Sequence, residues 1–103
     1  MRCELRGPAE VLHSSYCYRG KGFFILLCPH CNDLVAMSEE KSRGIEFETL
    51  RAMLSDLDYA VRIYHREHGG YGRVSEYMID PEMNPLADHF YVHARTLYGL
   101  PSA

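Results

Sequence analysis

The chain has 103 residues, 47% of them hydrophobic, and a formal charge of -3. This length is that of one domain, and the scattered Lys and Arg residues argue against generic nucleic-acid binding. The longest apolar run, residues 23–28, is too short to span a membrane, and the N-terminus lacks the apolar segment of a signal peptide. We therefore expect one cytoplasmic domain, in a reducing environment where its four cysteines favour metal binding or catalysis over disulfides.

Three β-strands are predicted in the N-terminal part, residues 1–37. Residues 11–18 are rich in strand-forming side chains, and a glycine-rich turn separates them from the apolar run 23–28. A second tight turn leads into the strand 34–37. Because the connections are short, neighbouring strands must be antiparallel, and the sequence predicts a three-stranded meander.

A polar linker, residues 38–44, separates this meander from a part predicted to be helical, residues 45–103. Apolar side chains recur at spacings of three and four residues from Phe47 to Tyr64. This period predicts an amphipathic helix over about residues 46–68, which the following glycine pair ends.

A second helix is predicted near the C-terminus. Asn84 and Pro85 resemble an N-cap followed by a proline in the first helical turn, and Gly99 supplies the C-terminal stop. The predicted fold class is therefore α+β, with a zinc-ribbon-like antiparallel meander packed on a C-terminal two-helix unit. Residues 69–84 form a long connection that includes at most a short turn of helix or a short strand.

Two cysteines, Cys28 and Cys31, flank Pro29 and His30 directly after the apolar strand. Such a pair can hold a metal or exchange disulfides. The tetrapeptide resembles the active site of thioredoxin-like periplasmic oxidases, where the first thiol begins a helix and a parallel strand lies nearby. Here the neighbouring strand is one tight turn away, so we favour a metal and keep the redox chemistry as an alternative.

The same segment is similar to the second knuckle of zinc ribbons, including the short ribbons of phage translational regulators. The resemblance covers residues 1–37 and implies a zinc ion held by two cysteine pairs. Cys3 lies 25 residues before Cys28, where the first pair would begin, but Arg6 stands where its second cysteine belongs. One zinc ligand must then come from elsewhere.

His13 is the predicted replacement for that ligand. If residues 20–21 form a two-residue hairpin loop, His13 lies directly opposite Cys28 on the same face of the sheet. Cys17 shares this face but lies roughly 13 Å further along its strand. The predicted zinc ligands are Cys3, His13, Cys28 and Cys31.

Four further histidines are candidates for a second metal site. They form an i, i+3 pair at the end of the first helix and an i, i+4 pair on the second, and these pairs meet if the helices pack antiparallel. The alternative is that they lie independently on the surface or cap helix carbonyl groups. They are His65, His68, His89 and His93.

A zinc site closed by four protein ligands stabilises a fold and leaves no position for a substrate. We therefore expect a non-enzymatic regulatory protein, of the phage or mobile-element type, that acts by binding another protein or forming a homodimer, without a membrane. The connection 69–84 carries side chains suited to such an interface. They are Tyr71, Tyr77, Met78 and Met83.

Two other functions stay open at this point. One is a thiol–disulfide oxidoreductase with Cys28 as nucleophile and Cys31 as resolving thiol. The other, less favoured because the chain is acidic, is a nucleic-acid-binding ribbon that contacts its target through residues near the first hairpin. These are Tyr16, Tyr18, Arg19 and Lys21.

Overall fold

One α-helix packs on an antiparallel β-sheet in a computed structural model that describes residues 17–42, 44–79 and 88–99. The described part contains five strands in the spatial order β1-β2-β3-β5-β4. The elements are β1 (Cys17–Arg19), β2 (Phe23–Leu27), β3 (Leu34–Ser38), α1 (Phe47–Glu67), β4 (Tyr71–Ile79) and β5 (Tyr91–Gly99).

The first three strands form the antiparallel meander that the sequence predicts, but the register of its first hairpin differs. Cys17 pairs with Leu26, whereas the predicted two-residue loop would pair it with Phe24. The hairpin loop has moved by one residue, from residues 20–21 to residues 21–22, where Gly22 takes a positive φ of 82° and the N–H of Gly20 donates to the carbonyl of Phe23 across the loop. The geometric argument for His13 opposite Cys28 is therefore lost.

Helix α1 begins and ends within one residue of its predicted bounds. Its apolar stripe packs on one face of the sheet, where buried side chains of β2, β3 and β5 meet it. Phe47, at the start of the stripe, stays 70% exposed. The helical residues that are buried in this core are Met53, Leu57, Ala60 and Val61.

The predicted second helix is wrong, because residues 91–99 form strand β5, which lies between β3 and β4 in the sheet. Phe90, Val92 and Ala94 join the core beneath α1, while Tyr91 is buried on the opposite face. A strand buried on both faces is a nearly continuous apolar run, whose spacing also fits a helix. The fold is thus a single helix on a five-stranded sheet, not a meander packed on two helices.

The predicted long connection contains strand β4, which pairs with β5 along its whole length. The pairing shifts by one residue at Ser75, whose hydroxyl donates to the carbonyl of Arg95 at 3.0 Å. Gly72 lies directly beneath the ring of His65 at the end of α1, so a larger residue there would collide with that ring. β4 therefore closes the core at one edge of the sheet.

The face of the sheet turned away from α1 has its own buried cluster, formed by β2, β3 and β5. Its members are Leu26, Cys28, Val35, Met37 and Tyr91, with Phe24 and Cys31 partly buried beside them. One of the two cysteines of the predicted knuckle is therefore part of a core. Among the described residues, no helix combines the length and apolar character that crossing a membrane requires.

Candidate metal centre

The two cysteines lie in the tight turn that connects β2 to β3. The N–H of Cys28 donates to the carbonyl of Asp33 at 2.8 Å, and the N–H of Asn32 donates to the carbonyl of Cys28 at 2.9 Å. Asn32 takes a positive φ of 62°, which asparagine tolerates better than most residues. These backbone contacts fold the four-residue segment back on itself and bring the two thiols together.

His93 on β5 reaches the same place from the other side of β3. Val35 pairs with both Leu26 of β2 and His93 of β5, so these three side chains share the face turned away from α1. Cys28 follows two residues after Leu26 and lies on that face as well. The pairing of the strands thereby places His93 beside a turn that lies about 60 residues earlier in the chain.

The three side chains form a group that could hold a metal ion. The Sγ atoms of Cys28 and Cys31 and a ring nitrogen of His93 all lie within 4.8 Å of one another. Cys28 and His93 are buried, whereas Cys31 is half-buried. No other such group of His, Cys, Asp and Glu side chains occurs within residues 17–42, 44–79 and 88–99.

The buried surroundings of the His93 ring make this residue a suitable metal ligand. The residue is only 2% exposed, and neither Nδ1 nor Nε2 has a hydrogen-bond partner in the described part of the chain. Leaving a buried polar atom without a partner costs about 1–3 kcal/mol. A metal ion bound to one nitrogen would remove part of this cost, and two sulfur atoms with one imidazole nitrogen suit zinc.

The thiol of Cys31 is strongly stabilised in its protonated form without a metal. Its contact with the Cys28 thiol and its burial raise the pKa of Cys31 to about 12, and nearby His93 opposes this rise only in part. A dication bound between these side chains would favour the thiolate form of Cys31 instead, because a thiol that coordinates a metal loses its proton.

The other two predicted ligands, Cys3 and His13, lie outside the described residues. Cys17, which was not assigned as a ligand, is exposed on β1. The two cysteines of the knuckle are therefore the part of the predicted ligand set that the structure brings together, and they meet a histidine that was assigned elsewhere.

The predicted second site of four histidines does not form in the described part of the chain. His68 Nδ1 lies 2.7 Å from the carbonyl oxygen of Tyr64 and caps α1, and His89 Nδ1 lies 2.7 Å from a carboxylate oxygen of Asp88. His65 packs over Gly72, and its pKa is lowered mainly by burial. Only His93 belongs to the metal-binding group.

The predicted partner surface is divided by the fold. Tyr77 lies on the helix-facing side of β4, and its hydroxyl donates to the carbonyl of Leu54 at 3.0 Å. Met78 lies on the opposite side of the strand, paired with His93. Tyr71 begins the strand, and Met83 lies outside the described residues.

No family model, no curated protein and no solved structure matches this chain.

Proposed function

We propose that this chain is a small zinc-stabilised protein that acts by binding another protein. The observation that carries the proposal is the meeting of two thiols from a tight turn with a buried histidine whose ring nitrogens have no hydrogen-bond partner among the described residues. Structural zinc sites are built from such ligands. Cys28, Cys31 and His93 would hold the ion.

Zinc at this place would act as a cross-link between distant parts of the chain. Two ligands belong to the β2–β3 turn and the third to β5, which follows α1 and β4 in the chain. Because such a site does not exist in the unfolded chain, the free energy of zinc binding adds to the free energy of folding. A domain of 103 residues has a modest core and gains much from such a contribution.

A structural zinc ion usually has four ligands. Cys3 and His13 stay the predicted candidates for the fourth, although the register that favoured His13 is not observed. The proposed regulatory role rests on the resemblance of residues 1–37 to the short ribbons of phage regulators.

The structure disfavours the redox alternative. An attacking thiol is activated when a helix N-terminus or a positive charge lowers its pKa. The cysteine pair here lies in a turn between two antiparallel strands, and Cys28, the predicted nucleophile, is fully buried. Neither property is that of a thiol–disulfide oxidoreductase.

Nucleic-acid binding has equally little support. Of the side chains predicted for it, Arg19 is bonded to Glu39 at 2.8 Å, and the hydroxyl of Tyr18 donates to Asp56 at 3.3 Å. Both groups face carboxylates, which would repel a phosphate backbone. Tyr16 lies outside the described residues.

Metal analysis tests the zinc part of the proposal. We expect native mass spectrometry of protein purified without chelators to find one zinc per chain, because the three ligands already converge. The thiols of Cys28 and Cys31 should resist titration until a chelator is added. Protein that contains no zinc and whose thiols all react at once would contradict the proposal.

The partner surface is expected at the outer edge of β4, where Ile79 is 47% exposed beside Tyr77. Replacing Ile79 by serine should weaken capture of the protein's partner at least tenfold while changing the free energy of unfolding by less than about 0.5 kcal/mol. The matched control is Phe47→Ser, at an exposed apolar residue at the start of α1. Equal partner binding by both variants and the parent would place the interface elsewhere.

A further inference from the structure

The ring of His93 presents two nitrogen atoms, and a single metal ion can use only one of them. Both are buried, and neither has a hydrogen-bond partner among the described residues. In metal sites the second ring nitrogen of a histidine is protonated, and its N–H donates a hydrogen bond to a carboxylate, a backbone carbonyl or water. The zinc site proposed above therefore needs an acceptor beside His93.

Asp33 is placed to be that acceptor by the pairing of the strands. Leu34 pairs with Ala94 and Val35 pairs with His93, so Asp33 directly precedes the paired part of β3. Side chains alternate along a strand, which puts Asp33 on the same face as Val35 and makes it a diagonal neighbour of His93. Diagonal neighbours lie within reach of long or aromatic side chains such as histidine.

The backbone of Asp33 already belongs to the site. Its carbonyl accepts the hydrogen bond from the N–H of Cys28 at 2.8 Å, which continues the β2–β3 ladder into the turn. A displacement of Asp33 would thus move the first thiol ligand as well. A backbone hydrogen bond thus joins the residue that carries the carboxylate to the turn that carries the thiols.

The side chain of Asp33 is half-buried at this end of the sheet. A carboxylate that is partly removed from water gains more from a hydrogen-bond donor of the protein than an exposed carboxylate does. An N–H of the His93 ring would supply such a donor.

We propose that Asp33 is a positioning residue of the metal centre, which accepts a hydrogen bond from the ring N–H of His93 that faces away from the metal. This contact fixes the tautomer and the orientation of the imidazole, so that its other nitrogen points at the two sulfur atoms. The proposal rests on the proposed zinc site and adds the reason why both nitrogens of a buried histidine can be satisfied there.

The test compares Asp33→Asn with the parent in three measurements. Asparagine keeps the size of the side chain and one acceptor oxygen but removes the charge that favours the protonated nitrogen. We expect the zinc affinity, measured by competition with a chromophoric chelator, to fall roughly 10–100-fold. We expect the cobalt(II)-loaded variant to keep the visible absorption bands of the parent, since no ligand is lost, and nitrogen NMR to show a mixed tautomer of His93.

The matched control is Asp56→Asn on α1, whose carboxylate accepts a bond from Tyr18 and which should leave the zinc affinity unchanged. An affinity within twofold of the parent in Asp33→Asn, with an unchanged tautomer, would overturn the proposal. Cobalt bands that shift to those of a different ligand set would overturn it as well, by making Asp33 a ligand. Parent protein that binds no zinc would instead refute the proposed function, and the role of Asp33 with it.

Discussion

Replacing Cys28 by serine is expected to abolish zinc binding and to remove much of the stability of the protein. Cys28 is fully buried, begins the turn that holds both thiols, and offers one of the three converging ligand atoms. Losing a direct ligand should lower the affinity by more than the roughly 10–100-fold that loss of a supporting contact costs. With zinc in excess, a hundredfold loss of affinity corresponds to about 2.7 kcal/mol of apparent stability.

A thermal melt in the presence of zinc checks this result. For a domain of this size, a loss of about 3 kcal/mol lowers the Tm by more than roughly 10 °C. Cys17→Ser is the matched control, because Cys17 is exposed on β1 and outside the metal-binding group. It should retain zinc and change the stability by about 0.5 kcal/mol or less. Loss of zinc from Cys17→Ser with retention in Cys28→Ser would show that the site is built around other residues.

The local signals in the sequence were sufficient to predict α1 and the turn that contains Cys28 and Cys31. A helix whose apolar residues repeat with the helical period over five turns is specified by its own residues. The turn is equally local, since two cysteines, a proline and the residue pair Asn32–Asp33 lie within six positions of one another. Neither feature needs knowledge of which strand lies next to which.

Strand β5 could not be recognised in the same way, because side chains on both of its faces are buried. The apolar residues at 86, 90, 94 and 97 fit a helical stripe, and the apolar residues between them were assigned to its flanks. The amino-acid composition of the segment favoured a strand instead. Aromatic and β-branched residues dominate the segment, and they favour strands over helices. They are Phe90, Tyr91, Val92, Thr96 and Tyr98.

The sequence analysis missed His93 as the third candidate ligand for the same reason, because it placed this residue on a helix. On a helix His93 pairs with His89, whereas on β5 its side chain lies across Val35 from the cysteine turn. Which strand lies beside β3 is decided by the pairing of distant segments, and no local pattern encodes it. A resemblance confined to residues 1–37 could not supply this candidate ligand, because His93 lies near the other end of the chain.

Replacing His93 by leucine is expected to have opposite effects with and without zinc. In the presence of a chelator, leucine fills a similar volume and removes two buried nitrogens that have no hydrogen-bond partner in the described part of the chain. The metal-free variant should therefore be more stable than the metal-free parent by about 1–3 kcal/mol. In excess zinc the order should reverse, because the parent gains the binding free energy and the variant, which lacks a ligand, does not.

Urea denaturation of both proteins under the two conditions measures this crossover, and the zinc content of each sample is recorded alongside. His89→Leu is the matched control, since His89 is also buried but is bonded to Asp88 and lies outside the metal-binding group. It should keep its zinc and be destabilised under both conditions, because the substitution removes the hydrogen bond between His89 and Asp88. A His93→Leu variant that is more stable than the parent under both conditions, with its zinc content unchanged, would show that His93 is a packing residue. The cysteine turn would then have to find its remaining ligands elsewhere in the chain.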